Sequence, residues 1–396
     1  MAHILTPRLL TTRLGVRARE IANRFAMPAR RLAESRAGAA TADRDWLQVP
    51  LRAEPPSAAA MAVLTARHLA EARAGRWVPL LAALADADAA RAIAPDGSRL
   101  SAAISAAARA DVTAALAAGD LAAATLAAGR LEEAHHACPG SAAAAHLLAR
   151  ARLDLAAAHR EATLSGPASA GHLAAARAEA AEAARLVDVY DPIEHDSPLM
   201  AATRYALVGA LEEAEALWQD WYEDWIDLDP GDPAPHLVHA SHLLPNWFGT
   251  LSGFDAAARA AAARTADVTG AAAYALHYLS AQEALGRMPP GLDTGMYLKG
   301  LDDHCRDAPG QEAANRVAAT LTEWLHDLGP DDGPFARRIR AALTRHLQTR
   351  LTEFHLPAWA AGERCIRWAL QQCFGDGIDA GGVVAAGPGG LIVIPA

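Results

Sequence analysis

From about Ala58 to Ala184 the commonest side chain is a single methyl group. Alanine has the highest helix propensity of any residue and lets helix axes approach closely, and the β-branched residues that fill sheets are sparse in this run. An all-α fold class follows. The chain has 396 residues, 52% hydrophobic but only 5% aromatic, so it can bury a sizeable core made of small side chains.

Punctuation divides the chain into four stretches. Residues 1–56 form a basic leader, predicted helical from Thr11 to Ala37, that ends at the helix-breaking Pro55-Pro56; eight arginines between Met1 and Arg36 face only Glu20 and Glu34. Residues 57–186 read as Ala-rich helix pairs broken at Pro95-Asp96-Gly97, Gly119-Asp120, Gly129, Pro139-Gly140 and Gly166-Pro167. Residues 187–374 hold most of the aromatic side chains. Residues 375–396 form a Gly-rich tail, in which Val383-Val384 and Leu391 to Ile394 flank Gly387 to Gly390 as in a small hairpin or a docked tail.

In the aromatic stretch, Leu207, Leu211, Ala214, Trp218, Trp221, Trp225 and Leu228 alternate at spacings of four and three, which predicts one stripe along one helix. Glu212, Glu213, Asp220, Glu223, Asp224 and Asp227 fall on the other side, and Tyr205 to Ala258 contains no Lys or Arg. That helix should end at Asp229 to Pro233, with Asp232 capping the next. Further helices are expected at 233–244, 253–264, 269–286, 310–328, 335–354 and 357–373, with Tyr274, Tyr278 and Ala281 on one buried face.

Two hexamers, Gly129-Arg-Leu-Glu-Glu-Ala134 and Gly209-Ala-Leu-Glu-Glu-Ala214, share Gly-x-Leu-Glu-Glu-Ala. They resemble the turn and second-helix opening of tetratricopeptide-like repeats, and Ala127, Leu131, Ala134 and Pro139 resemble the second-helix spacing in a different register. The resemblance implies an α-solenoid of antiparallel helix pairs that binds a partner. The run Leu243-Leu-Pro-Asn-Trp-Phe-Gly-Thr250, followed by Phe254, Ala257 and Gly270 to Tyr274, resembles the Leu-Pro-x-Trp-x-Gly segment of uncharacterised bacterial helical-repeat proteins. A single lysine, Lys299, against 35 arginines agrees with a GC-rich bacterial source.

A net charge of −10 and a pI near 5.9 argue against a general nucleic-acid binder. Arginines interrupt every apolar run before it reaches membrane-spanning length, and Arg8, Arg13 and Arg17 break the region where a signal peptide would need its apolar core, so a cytoplasmic protein without a transmembrane segment is expected. Cys138, Cys305, Cys365 and Cys373 have no paired metal spacing and read as free thiols.

Several candidate chemistries fail on spacing. His236-x-x-His239-x-x-His242 places two imidazoles on neighbouring helical ridges, but the third is rotated away and no H-E-x-x-H order is present, so packing, capping or solvent exposure is the expected role and no metal is assigned. Asp227 to Asp232 has glycine at the wrong place for a calcium loop. No nucleophile elbow, catalytic Ser/His/Asp set or dinucleotide fingerprint stands out, so neither catalytic residues nor a cofactor are assigned. The expected function is therefore a protein interaction or scaffolding module. Its binding residues would be Trp218, Trp221, Trp225, His239, Trp247, Tyr274, His277 and Tyr278 on an acidic aromatic face, taking a protein or peptide partner of basic character. The alternative is a small-molecule binder or enzyme with a pocket near Trp247, His239, Tyr274 and His277.

Overall fold

The computed structural model describes residues 45–163, 169–211, 213–308, 310–329 and 333–396. The predicted leader helix from Thr11 to Ala37, the Gly166-Pro167 break and Glu212 lie outside them. The described residues contain sixteen α-helices and five short strands, a mostly helical fold as alanine content demands. Contacts gather the described residues into two compact units, one of residues 59–292 and one of 45–58 with 293–396.

The helices up to residue 292 are α1 (Pro56–Arg73), α2 (Trp77–Ala89), α3 (Leu100–Ala108), α4 (Ala110–Ala117), α5 (Leu121–Ala137), α6 (Ala142–Ala162), α7 (Ser169–Val189), α8 (Pro198–Ala206), α9 (Trp218–Leu228), α10 (Ala234–His242), α11 (Phe254–Thr269) and α12 (Ala272–Leu285). Their starts follow from side-chain caps: Asp120 accepts the Ala123 N–H at 2.9 Å, Ser141 that of Ala144 at 3.2 Å and Ser197 that of Met200 at 3.1 Å. Gly119 after α4 and Gly286 after α12 take positive φ, where a Cβ would be strained. Between α2 and α8 the core pairs the methyls of Ala124, Ala145, Ala149 and Ala151 with Leu80, Leu84, Leu147 and Leu155, all fully buried. Each such leucine contributes about 1.5–3 kcal/mol of burial, and the alanines let the helices close around them.

Two sequence expectations change here. Gly129 is not a turn but lies inside α5, while Gly209 ends a 3-10 turn, Leu207–Gly209, so the two Gly-x-Leu-Glu-Glu-Ala hexamers adopt different backbones. Ala127, Leu131 and Ala134 do form the buried face of α5. The expected single helix through 207–228 is also broken: 3-10 turns at Leu207–Gly209 and Glu213–Ala216 precede α9, which begins only at Trp218. Arg160 accounts for the break, because its guanidinium donates to the carbonyls of Gly209 and Ala210 and satisfies acceptors a continuous helix would have used.

The second unit contains α13 (Thr294–Asp307), α14 (Glu312–Asp327), α15 (Pro334–Arg350) and α16 (Glu363–Asp379) with strands β1 (Leu47–Gln48), β2 (Leu51–Arg52), β3 (Phe354–His355), β4 (Val383–Ala386) and β5 (Leu391–Ile394). Residues 45–56, read as part of the leader, thus supply two strands: β1 runs parallel to β4 and β2 parallel to β3. Of the two forms expected for the tail, residues 383–394 take the hairpin, β4 antiparallel to β5. Its glycines are not all in the tail, however. Gly375 and Gly377 lie inside α16, and a Cβ on Gly377 would sit 2.9 Å from Val393, so glycine there admits β5 against the helix. The helix expected to reach 354 stops at Arg350, and buried Asn315 of α14 organises the segment from Glu353 to Trp359. Its amide donates to the Gln311 and Glu353 carbonyls at 2.9 and 3.1 Å, and its oxygen accepts the His355 N–H at 2.8 Å and the Trp359 indole at 3.0 Å. Asn315→Leu should cost about 3 kcal/mol in chemical denaturation by stranding these partners; a loss below about 1 kcal/mol would contradict that role.

Candidate functional site

The sequence-predicted residues Trp218, Trp225, His239, Trp247 and His277 come together in one aromatic cluster within residues 59–292. The 3.6-residue period explains its membership. On α9 the step of four from Trp218 reaches Tyr222 and the step of three from there reaches Trp225, so Tyr222, not Trp221, occupies the inner stripe. Trp221 faces the other way, packed against the alanine and leucine core. Of the expected stripe, Leu207, Leu211 and Trp221 belong to that core and only Trp218 and Trp225 to the aromatic cluster, and the Trp218 to Tyr222 spacing was the signal available for the inner row.

His236, His239 and His242 fan across the buried side of α10 and are 2%, 1% and 7% exposed. His239 stacks on Tyr222 with ring centroids 3.6 Å apart and 7° between planes, and lies 4.8 Å from the Trp218 ring. The Tyr205 hydroxyl, on α8, is 2.8 Å from His239 Nδ1 and 2.6 Å from His242 Nδ1. One hydroxyl hydrogen serves one neighbour only, so one histidine accepts from Tyr205 while the other donates to it, and the two neutral rings are opposite tautomers. Tyr222 pairs with His236 Nδ1 at 2.8 Å. His277, on α12, bonds the Ala273 carbonyl through Nδ1 at 2.8 Å; a carbonyl only accepts, so the lone pair of His277 is at Nε2. Nε2 of His277 and Nε2 of His236 have no partner among the described residues, and the two ring centroids are 5.5 Å apart.

Burial dominates the electrostatics. It drives His236 and His239 well below the ordinary imidazole value, reinforced by their histidine neighbours, and lowers His242 and His277 to about 4. The Tyr205 and Tyr222 phenols are raised by the same burial. At neutral pH the cluster is therefore an uncharged hydrogen-bonded core. Two partnerless imidazole nitrogens fall short of a metal donor set, and among the described residues no group of three or more His, Cys, Asp or Glu is placed to hold an ion.

Tyr274 and Tyr278 belong to a separate arrangement on the same unit. Both hydroxyls donate to Asp255 Oδ1, at 2.6 and 3.0 Å, and Arg259 bonds its other oxygen at 2.7 Å. Tyr274 is thus committed to Asp255, and Tyr222 lies flat on His239, where the alternative pocket around Trp247, His239, Tyr274 and His277 was expected. Both tyrosines, like Trp225, His239 and His277, are buried, which restricts the expected contact surface to Trp218, Trp221 and Trp247.

The acidic face is also smaller than the sequence suggests. Arg264 takes Asp227 at 2.6 Å and Glu223 at 2.8 Å, and Arg204 binds Asp191 at 3.0 Å and Asp224 at 2.5 Å. Those arginines lie just outside the Lys- and Arg-free run, so reading that run alone overstated its charge. Glu215 and Asp220 remain exposed with no ion partner among the described residues.

A third arrangement was not visible in the sequence. Ser105 Oγ lies 2.7 Å from His146 Nε2, and His146 Nδ1 lies 2.7 Å from Thr203 Oγ1, whose hydroxyl donates to Leu199 O at 2.9 Å. A serine bonded to a histidine that a third group orients has the order of a nucleophilic triad. Here the orienting group is a hydroxyl, and all three residues are buried in the alanine core, at 3%, 3% and 0% exposure. The polar atoms of this network bond to one another and to Leu199 within the core, as buried polar groups generally do.

No family model matches the sequence, and no curated protein and no solved structure is significantly similar to it.

Proposed function

We propose that this chain is a cytoplasmic helical-repeat interaction module of the tetratricopeptide-like kind, kin to the bacterial proteins with a Leu-Pro-x-Trp-x-Gly segment, and that it binds a basic peptide or protein segment. The single observation that carries this reading is the part-exposed aromatic row Trp218, Phe248 and Trp247 over the buried Tyr/His cluster. Phe248 lies 5.4 Å from Trp218 and 5.6 Å from Trp247, and Trp247 packs edge-on against His242 at 4.6 Å. Large rings fixed from beneath lose little entropy on binding, which suits them to anchor a partner. Exposed Leu217 adjoins Trp218 in the chain, and the unpaired Glu215 and Asp220 supply the charge that would select cationic side chains. Short helices packed in succession and joined by Gly and Pro turns support the repeat class.

Panning a random peptide library against the full chain should enrich sequences that combine Arg or Lys with an aromatic or aliphatic residue. Trp218→Ala should weaken the best of them at least about tenfold, and Asp220→Lys about three- to tenfold, with the loss shrinking as salt is raised. Enriched peptides that bind both folded variants as well as wild type would end this reading.

A further inference from the structure

Helices α13, α14 and α15 enclose a cavity of about 270 Å³ that the aromatic surface does not involve. One side of it is apolar, with Leu301, Val317 and Leu321 almost wholly buried and Ala342 contributing only a methyl group where a larger side chain would fill the space. The other side is polar, with Asp302, Arg345, His346, Thr349 and Arg350. At the same cavity the C-terminal half of α15 brings two guanidinium groups. Arg350 donates to Asp302 at 3.0 Å, whereas Arg345 is exposed and has no ion partner among the described residues. His346 donates through Nε2 to the Ala314 carbonyl at 2.9 Å, and burial holds it below the ordinary imidazole value, so it adds a neutral wall. Two arginines against one carboxylate leave the lining of this hollow with one net positive charge.

We propose that this cavity binds a small carboxylic acid with a compact branched or aromatic tail. The carboxylate pairs with Arg345 and reaches Arg350, and the tail fills the space between Leu301, Val317 and Leu321. Each element of the ligand answers one observation: the unpaired guanidinium favours an anion, the planar donor fork suits a carboxylate, the apolar side of Leu301, Val317 and Leu321 suits a short hydrocarbon, and the volume limits the tail to a few carbons beyond the headgroup. The inference is independent of the peptide-binding reading.

Calorimetric titration of the full chain with 4-methylpentanoate, with the matching alcohol and with 3-methylbutylammonium separates these terms. The acid should bind, the alcohol should bind at least about tenfold more weakly, and the ammonium should not bind, a tenfold ratio being what one charge-assisted contact supplies. Arg345→Gln, at an exposed position, should weaken the acid about tenfold without changing the melting temperature. Ala342→Leu should abolish binding by filling the hollow; if that variant misfolds, Arg345→Gln alone decides. Equal binding of acid and alcohol, an unchanged affinity in Arg345→Gln, or no heat at about 10 mM acid would overturn the proposal.

Discussion

Lowering the pH from 7 to 5 should destabilise the unit of residues 59–292 by about 3 kcal/mol through His242, His277 and Asp232 alone. His242 and His277 are lowered to about 4 by burial, against about 6.5 in an unfolded chain. As pH falls through 6.5 the unfolded state binds protons that the folded state refuses, so stability is intact above 6.5 and declines until about 4. Each of the two contributes a loss of about 2 kcal/mol at pH 5, and His236 and His239 shift in the same direction. Asp232 opposes them: burial raises its carboxyl to about 6, so the folded state gains its proton first and recovers about 1 kcal/mol at pH 5. Urea denaturation at both pH values, repeated in His277→Leu, isolates the effect. The variant should lose about 2 kcal/mol of the pH dependence whatever its stability at pH 7; an unchanged pH dependence would show that His277 is not held neutral by its surroundings.

Gly249→Ala should cost about 4 kcal/mol or more and release the aromatic row. An ideal Cβ at Gly249 would lie 2.0 Å from the Leu243 carbonyl oxygen and 2.6 Å from its Cα. Both are backbone atoms of the turn after α10, so no side-chain rotation relieves the clash. The turn is built by bonds from Trp247 N–H to Leu244 O at 2.9 Å and from Phe248 N–H to His242 O at 3.2 Å. These bonds lay Trp247 and Phe248 over His242, which gives the Leu-Pro-x-Trp-Phe-Gly order a physical reason: the glycine lets the chain fold back far enough for the rings to reach the histidine. Thermal melts and near-UV circular dichroism report both consequences. A variant with wild-type melting temperature and an unchanged aromatic spectrum would show that the turn is more pliant than this packing implies.

The helical class was legible in the sequence because alanine acts locally, through propensity and through the absence of a bulky side chain. Turn chemistry was local as well, and the breaks at Gly119-Asp120 and Pro139-Gly140 fall where expected. The features that were not legible depend on partners distant in the chain. Arg160 interrupts the expected helix at 207–216 from 49 residues away, and Arg264 neutralises Asp227 from the next helix but one. Asn315 draws the chain after Arg350 into a strand instead of more helix through bonds some 40 residues long. Half of the aromatic cluster was visible as tryptophans at helical spacing. Tyr222 could have been added from its four-residue step after Trp218, whereas Tyr205, on another helix, needed the histidines of α10 to be seen beside it.

The alanine-rich interior bears on how this protein responds to temperature. Many of the buried positions between α2 and α8 are alanines, so beside its leucines this core exposes on unfolding a larger share of methyl groups and backbone than a core built of leucine alone. Newly wetted hydrocarbon raises the heat capacity and newly wetted peptide lowers it, so the change per residue in this region should fall below the usual range of about 12–15 cal/mol/K. A smaller heat-capacity change flattens the dependence of stability on temperature. The alanine helices should therefore keep a similar margin over a wider thermal range than a leucine-rich core of equal stability, and resist cold as well as heat.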